Sequence, residues 1–431
     1  MPFFQRPPAA YETRPGFALV PVPGQLRLMP KALALPLPAK ADVPKGHVLV
    51  DLKAALLCHS DRTQGENPEN RGGVTVGLEP WLPTGGRVLF HEVAVTLRYC
   101  APDVAAAHPE WSAGAAGTVL VRWDEFRGRT PCTCPNCARG NAKNCYFGFE
   151  RIVEFGIKEV PGGGQRRFVV PASAFVPLKP GMRPHWGALV EPTSTFANGF
   201  NEALSMARAS YGPEWPATLE GRRPAALFFG LGPIALFGCV VARHLGFTPI
   251  GVSRTPLEKN PRAQALVKLG GKYFTLDQEP KTGWKDVLPG HRIFVVGEGS
   301  GDAESFQLLD YLAKSGRAER WEPLTAFLFQ SIPGATKGVS FEGGLSLTMQ
   351  TLHSNFVRFF VNSSRKDFDL AQDALLSAPP EVVEGFFTRM DGSFEALADR
   401  FWDVWDGKHG AGSGLIRTGV WFQHDDLPPV D

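Results

Sequence analysis

The fold is decided by one stretch of the chain, Ala225-Ala226-Leu227-Phe228-Phe229-Gly230-Leu231-Gly232-Pro233-Ile234-Ala235. An apolar strand runs into a glycine turn, and a helix begins directly afterwards. Gly230 permits a tight turn, Gly232 lets the backbone approach a pyrophosphate, and Ala235 is small enough for close helix–strand packing. The stretch therefore predicts a dinucleotide-binding loop, although a glycine turn in an unrelated α/β protein would look the same.

Strands and helices alternate beyond this loop. The further strands are predicted at Thr248–Ser253, Arg292–Gly297 and Thr325–Gln330. Such alternation implies a parallel sheet with right-handed crossovers, the doubly wound Rossmann arrangement. The first half of the chain differs, because Gly and Pro divide it into short β segments, predicted at His47–Leu52, Arg87–Phe90, Thr118–Arg122 and Arg167–Val170. A helix is predicted from Thr193 to Arg208.

The second strand of the alternating region indicates which nucleotide binds. An acidic residue about 20 residues beyond the loop would hold a ribose 2′-hydroxyl. The strand ends instead in Ser253-Arg254, and a hydroxyl with a guanidinium suits a 2′-phosphate. NADP is therefore preferred over NAD, with a solvated Arg254 as the alternative.

Composition excludes several classes of protein. The chain has 431 residues, 43% of them apolar and 20% charged, which is an ordinary globular balance and long enough for two domains. A net charge of +2 gives no reason to expect nucleic acid or an anionic membrane as a partner. The first residues lack the pattern of a secretion signal. Cysteines that bind metal, as proposed for this chain below, suit a reducing compartment, so we expect a cytoplasmic protein.

Four of the seven cysteines lie close together, at Cys132, Cys134, Cys137 and Cys145. Their spacing is too tight for a disulfide framework in a chain of this length, and thiolates so spaced suit a closed tetrahedral zinc site. A fifth, Cys58, stands far upstream in Cys58-His-Ser60-Asp61. Cys58 is either a metal ligand or a buried core thiol.

With these residues the chain resembles the zinc-containing medium-chain dehydrogenases, closest in pattern to the glucose (aldose) and polyol branch. The resemblance runs from about Val48 to Val420. It is carried by Cys58-His-Ser-Asp, by His91-Glu92 and by Glu191-Pro192. The chain departs from the family in having Phe90 where glycine is usual before the histidine. The cluster departs as well, because Cys132 is one residue late and Pro131 occupies the usual first position.

The resemblance implies roles for these residues. Cys58, His91 and one of Glu92 or Glu191 would bind a catalytic zinc, and the Ser60 hydroxyl would relay the alcohol proton. The cysteine cluster would bind a structural zinc. Glu154, in Glu-Phe-Gly-Ile, would contact sugar hydroxyls, and Asn362 would approach the nicotinamide. Each residue also has a purely structural interpretation. His91-Glu92 would be the end of a strand and Glu191 would cap a helix. Glu154 would be a surface residue and Asn362 a turn residue.

The resemblance also implies an α/β architecture with two domains. A β-rich, GroES-like catalytic domain would cover residues 1–195, with its zinc lobe at about 130–147. A Rossmann domain would cover 196–363, and residues 364–431 would return to the catalytic domain. The expected activity is hydride transfer between NADP(H) and a secondary alcohol, polyol or aldose, in a homodimer or homotetramer. The rivals are a metal-free reductase of activated double bonds or quinones, and a non-catalytic nucleotide-binding protein with structural zinc only.

Overall fold

A computed structural model of the chain describes residues 12–25, 27–66, 86–123, 132–138, 145, 153–157, 159–214, 223–275, 291–298, 326–330, 356–360, 364–390, 393–405, 417–422 and 427. The chain divides into two compact units. The first unit comprises Met1–Glu191, Ser363–Phe368 and Phe387–Asp431. The second comprises Pro192–Asn362 and Asp369–Phe386. The domain boundaries inferred from sequence stay a prediction.

The strands that the structure describes are, in chain order, β1 (Thr13–Val20), β2 (Met29–Pro36), β3 (His47–Leu56), β4 (Arg87–Val88), β5 (Glu92–Cys100), β6 (Ala116–Val119), β7 (Arg122–Trp123), β8 (Val153–Phe155), β9 (Glu159–Val160), β10 (Arg167–Pro171), β11 (Phe175–Pro177), β12 (Arg223–Phe229), β13 (Thr248–Ser253), β14 (Lys272–Thr275), β15 (His291–Glu298), β16 (Ala326–Gln330), β17 (Phe356–Phe360), β18 (Phe387–Met390) and β19 (Arg417–Trp421). The described α-helices are α1 (His59–Glu66), α2 (Pro102–Ala107), α3 (Pro135–Ala138), α4 (Gly187–Tyr211), α5 (Pro233–His244), α6 (Pro261–Lys268), α7 (Arg365–Ser377), α8 (Pro380–Glu384) and α9 (Phe394–Trp405).

Three sheets build the first unit within the described ranges. The largest has the order β11-β6-β5-β3-β19-β18, with β10 also paired to β3. Strand β19 comes from the end of the chain and pairs antiparallel with β3, so both ends of the sequence contribute to this sheet. A second sheet has the order β2-β1-β4, and a third has the order β7-β8-β9. Phe17 of β1 is fully buried and packs its ring against Phe90 and Phe401, at centroid distances of 5.1 and 5.4 Å.

The second unit contains a parallel sheet, which in its described part has the order β14-β13-β12-β15-β16-β17. Every neighbouring pair in this sheet is parallel. Counted from β12, this is the strand order 3-2-1-4-5-6 of a Rossmann domain, as the alternating sequence predicted. Its core is aromatic, with Phe196 of α4 set edge-on against Phe228 of β12 at 5.5 Å.

The long helix α4 begins earlier than the sequence indicated. The prediction from Thr193 was wrong by about two turns, because the helix starts at Gly187 and continues through Pro192. A proline inside a helix removes one backbone donor and usually bends or ends the helix, so Pro192 in the sequence does not indicate a helix that begins upstream of it. Among the described residues, no helix is long and apolar enough to cross a membrane.

Candidate functional site

Cys58, His91 and Glu92 converge at one end of the neighbouring strands β3 and β5. These strands are antiparallel, and Leu56 lies opposite Glu92. Cys58 follows Leu56 by two residues and His91 directly precedes Glu92, so the register brings the three side chains to the same edge of the sheet. One ligand atom from each, the thiol sulfur, a ring nitrogen and a carboxylate oxygen, lies within 4.8 Å of the other two.

His91 and Glu92 are buried, Cys58 is partly buried, and the groups around His91 are anionic. His91 is 4% exposed and Glu92 is 1% exposed. Burial by itself lowers the pKa of His91, but nearby anionic groups outweigh it and raise that pKa well above 6.5. The groups responsible are the thiol of Cys58 and the carboxylates of Asp61 and Glu191. A buried cluster of this kind attracts a cation.

The donor set fits zinc. Zinc takes Cys sulfur, His nitrogen and carboxylate oxygen at about 2.0–2.3 Å, and a catalytic ion uses three such protein ligands with a fourth position open. Cys58, His91 and Glu92 supply one donor of each kind within the span that such an ion requires. In addition, the buried Nδ1 of His91 has no hydrogen-bond partner among the described residues. Native structures rarely leave such an atom unsatisfied, so the site suits a bound ion or ligand.

Asp61 links the two chain segments that carry these donors. Its carboxylate accepts hydrogen bonds from the backbone amides of Cys58 and Phe90, at 2.8 and 3.4 Å. One of its oxygens also lies 4.0 Å from Nδ1 of His91. Complete burial raises the pKa of Asp61 to about 6, against the opposing effect of His91. Asp61 therefore ties the segment of Cys58 to the segment of His91 through these two backbone hydrogen bonds.

Phe90 adopts a backbone conformation that side chains rarely tolerate. Its φ is 72°, in the left-handed region. The glycine run Gly162-Gly163-Gly164 follows the backbone here, and the amides of Gly162, Gly163 and Gly164 donate to Val88, Phe90 and Leu89 at 2.9, 2.8 and 3.0 Å. A Cβ on Gly162 would lie 2.1 Å from the Leu89 carbonyl oxygen, so only glycine allows this approach. The glycine run therefore fixes the backbone of the turn before His91 through these hydrogen bonds.

Ser60 and Glu191 are predicted site residues outside the donor group that Cys58, His91 and Glu92 form among the described residues. Ser60 lies in α1, two residues beyond Cys58, and its buried hydroxyl has no hydrogen-bond partner in the described part of the chain. Glu191 lies one turn inside α4 rather than at the helix start, so a capping role does not apply. Its carboxylate interacts electrostatically with His91, although it is not part of the three-residue donor group found among the described residues.

Glu154 is engaged by an arginine that the sequence reasoning missed. Arg122 of β7 and Glu154 of β8 are cross-strand partners, and both Nε and a terminal nitrogen of Arg122 bond to the Glu154 carboxylate. Burial lowers the pKa of Arg122, whereas Glu154 and then Glu191 act to raise it. The signal was available in the sequence, because a charged residue ending the apolar run Thr118–Arg122 needs a partner if it is buried.

The cysteine cluster forms a separate four-thiol group. The sulfur atoms of Cys132, Cys134, Cys137 and Cys145 lie within 4.8 Å of one another. The sulfurs of Cys132 and Cys145 are 3.8 Å apart, and the amide of Cys137 donates to the Cys134 sulfur at 3.5 Å. All four are free thiols, and the structure brings Cys132 into the group in spite of its shifted position in the sequence. Four sulfurs at this separation match a closed zinc site.

The glycine loop has the geometry that a pyrophosphate site needs. Gly230 follows β12 with a φ of 68°, and Gly232 precedes α5, whose first residues are Pro233 and Ile234. Ala235 is fully buried. Because Phe229 pairs with Val252, the end of β13 brings Ser253 and the exposed Arg254 next to this loop. Asn362 lies outside the described residues.

Comparisons with known proteins agree with this architecture. No protein-family model matches the chain. Over 211 residues the chain is 28% identical to D-altritol 5-dehydrogenase of Agrobacterium fabrum, a match that covers 49% of this chain and 51% of that protein. The chain thus spans about half the length of the curated relative it matches.

Solved structures match over nearly the whole chain. Glucose dehydrogenase of Haloferax mediterranei, in complex with NADP, Zn and gluconolactone, has a TM-score of 0.69 at 17% identity and covers 96% of this chain and 100% of its own. Galactitol-1-phosphate dehydrogenase of Escherichia coli has a TM-score of 0.67 at 17% identity and covers 95% and 100%. L-idonate 5-dehydrogenase of Escherichia coli has a TM-score of 0.62 at 16% identity and covers 95% and 98%. The chain has the fold of these dehydrogenases, and the predicted fold class is confirmed.

Proposed function

We propose that the protein is a zinc-dependent oxidoreductase that transfers a hydride between NADP(H) and a secondary alcohol, polyol or aldose, or the matching ketone or lactone. The observation that carries this proposal is the group of Cys58, His91 and Glu92, whose ligand atoms lie within 4.8 Å of one another. It occurs in a chain that also has a dinucleotide loop on a Rossmann sheet. The names of the similar proteins, which are dehydrogenases of glucose, galactitol 1-phosphate, idonate and altritol, support the substrate class.

In this proposal Cys58, His91 and Glu92 would hold the catalytic zinc, with Glu191 as an alternative carboxylate. When bound, zinc supplies a Lewis acid for the substrate oxygen and the nicotinamide supplies the hydride acceptor. Asp61 keeps the segments of Cys58 and His91 together through its backbone hydrogen bonds. Cys132, Cys134, Cys137 and Cys145 would hold the structural zinc.

Ser60 is the residue that we expect to move the proton of the alcohol. Its hydroxyl is buried near Cys58 and makes no hydrogen bond within the described residues. A buried hydroxyl costs free energy unless it gains a partner, so a substrate hydroxyl at this point would satisfy it. A hydroxyl both donates and accepts, so Ser60 would accept a hydrogen bond from the substrate hydroxyl, which is the contact that removal of the alcohol proton requires.

We propose that Glu154 contacts a substrate hydroxyl through the carboxylate oxygen to which these two Arg122 contacts do not reach. Both Arg122 contacts reach the same oxygen of Glu154, Oε1. The second oxygen of this carboxylate then has lone pairs for a sugar hydroxyl.

Asn362 stays a proposed contact to the nicotinamide. We further propose a homodimer or homotetramer in a reducing, cytoplasmic environment, which suits seven free cysteines.

Two other functions remain as rivals. A metal-free reductase of activated double bonds or quinones would have no use for a cysteine, a histidine and a buried carboxylate within 4.8 Å of one another. A non-catalytic nucleotide-binding protein would bind NADPH but show no alcohol-dependent hydride transfer. The donor group favours the zinc-dependent dehydrogenase over both.

The proposal is tested by following NADPH formation at 340 nm across a panel of polyols and aldoses. We expect reduction of NADP with at least one of them, loss after zinc chelation, and recovery when zinc is restored. The variant Cys58→Ser should lower kcat/KM by at least about a thousandfold, since it removes a metal ligand. Cys100→Ser is the matched control, because Cys100 ends β5 outside either cysteine group. Chelator-resistant turnover of quinones or enones would favour the metal-free rival.

A further inference from the structure

The turn after β13 is tied to the neighbouring strand by a single phenol group. Tyr273 lies on β14, which runs parallel to β13. Its hydroxyl contacts the Ser253 hydroxyl at 2.5 Å and donates a hydrogen bond to the backbone carbonyl of Thr255. These contacts hold the residues on both sides of Arg254, the residue between them in the sequence.

A count of protons shows how this group is arranged. A tyrosine hydroxyl has one proton, and here that proton goes to the Thr255 carbonyl, which can only accept. In the contact with Tyr273 the Ser253 hydroxyl must therefore be the donor. The side-chain amide of Asn260 donates to the oxygens of both hydroxyl groups, Ser253 at 3.2 Å and Tyr273 at 3.3 Å. The proton of Ser253 is thus already used and is not available to a phosphate.

Asn260 in turn is held by the helix that follows it. Its Oδ1 accepts from the amides of Arg262 and Ala263, at 3.1 and 3.2 Å, which caps α6. The network therefore runs from the start of α6 through Asn260 and Tyr273 to the turn at Ser253. Every group in it belongs to the chain itself, and a preorganised charged group binds its partner at a smaller entropic cost.

We propose that the Tyr273 hydroxyl is the positioning group for Arg254, and that Arg254, not Ser253, discriminates for the 2′-phosphate of NADP(H). The proposal rests on the nucleotide-binding part of the function proposed above and on no step of its chemistry. In this proposal Ser253 has a different role from the one expected from the sequence, because it would contribute by bonding to Tyr273 and not by donating to the phosphate. Tyr273 is accordingly a determinant of cofactor specificity that does not itself touch the reacting atoms.

The test is direct nucleotide binding to the full chain, measured by the fluorescence of NADPH and of NADH. We expect Tyr273→Phe, which removes only the hydroxyl, to weaken NADPH binding about tenfold and NADH binding by less than about twofold. Arg254→Gln should abolish the preference for NADPH. In the Arg254→Gln background, adding Tyr273→Phe should weaken NADPH and NADH binding equally, because no guanidinium remains to be positioned.

Tyr99→Phe is the matched control, since Tyr99 lies on β5 in the other unit and loses the same hydroxyl. Competition by 2′,5′-ADP and by 5′-AMP gives a second readout that needs neither metal nor substrate. Equal weakening of NADPH and NADH by Tyr273→Phe alone, or additive effects of Tyr273→Phe and Arg254→Gln on NADPH, would overturn the proposal. A wild-type protein that binds NADPH normally but oxidises no alcohol would contradict the proposed function and leave this proposal standing.

Discussion

The guanidinium of Arg122 and the carboxylate of Glu154 form a buried ion pair across two adjacent strands, β7 and β8. Their side chains are 13% and 7% exposed. Arg122 also interacts electrostatically with Glu191, which in turn interacts with His91. The small sheet β7-β8-β9 is therefore connected through charge to the proposed metal centre.

This ion pair predicts that a variant lacking both charges is more stable than a variant lacking only the charge of Arg122. Arg122→Met should lower the free energy of unfolding by about 3 kcal/mol, because it leaves the Glu154 carboxylate buried without its cation. Arg122→Met combined with Glu154→Gln should recover part of that loss, since no uncompensated charge remains at this pair. Urea denaturation of both variants measures the difference. A double variant less stable than Arg122→Met would contradict the interpretation.

The left-handed backbone of Phe90 predicts that glycine is tolerated better than alanine at this position, the reverse of the usual order. Phe90 is fully buried with a φ of 72°. Both Phe90→Ala and Phe90→Gly should destabilise the protein, by about 3 kcal/mol or more for alanine, because each leaves a cavity against Phe17. Glycine, however, relieves the left-handed backbone, so Phe90→Gly should be more stable than Phe90→Ala by about 1 kcal/mol.

Thermal and urea unfolding of the two Phe90 variants provide the measurement. At an ordinary buried position alanine is the better tolerated residue. A Phe90→Ala variant that equals or exceeds Phe90→Gly in stability would show that the left-handed conformation costs nothing here.

Asp61 should affect metal affinity more than it affects the fold. Asp61→Asn keeps one oxygen, which can accept from the Cys58 amide at the shorter of the two contacts, and it removes the negative charge beside His91. We expect zinc affinity at the Cys58 site to fall about 10- to 100-fold, with the zinc of the cysteine cluster unchanged. Competition with a chromogenic chelator measures both. Equal loss of zinc from both groups would indicate general unfolding instead.

The buried thiol of Cys239 predicts a loss of stability at alkaline pH. Burial raises the pKa of Cys239 well above 9.0. Above about pH 9 the unfolded chain releases this proton and the folded chain keeps it, so the free energy of unfolding must fall as pH rises. In Cys239→Ala this decline should be less steep, by up to about 1.4 kcal/mol per pH unit. Parallel curves for the two proteins from about pH 8 to pH 10 would refute the expectation.

The sequence predicted the glycine turn and the strands beside it in the second unit well, because these elements contact residues that are near them in the chain. The turn at Gly230, the burial of Ala235 and the strand Thr248–Ser253 all follow from residues that are close in sequence. In a strand–turn–helix unit each element packs against its own neighbours in the chain, so a short pattern contains most of the information.

The first unit could be predicted less completely, because its contacts join distant residues. Cys58 and His91 meet only through the register of β3 and β5, and Arg122 meets Glu154 only through β7 and β8. Nothing close to Phe90 in sequence shows that a glycine run near residue 163 supports its backbone. The resemblance of motifs indicated the donor residues, whereas their supporting contacts required the structure.

The most direct test of the Cys58 zinc site is the zinc content per subunit of wild type, Cys58→Ala and Cys132→Ser, measured by mass spectrometry with NADPH binding as the control for folding. We expect two zinc ions in wild type and one in each variant, with NADPH binding retained in all three. Turnover should be lost in Cys58→Ala. A Cys58→Ala protein that binds NADPH and contains as much zinc as wild type would contradict the central claim, since the group of Cys58, His91 and Glu92 would then not be a zinc site.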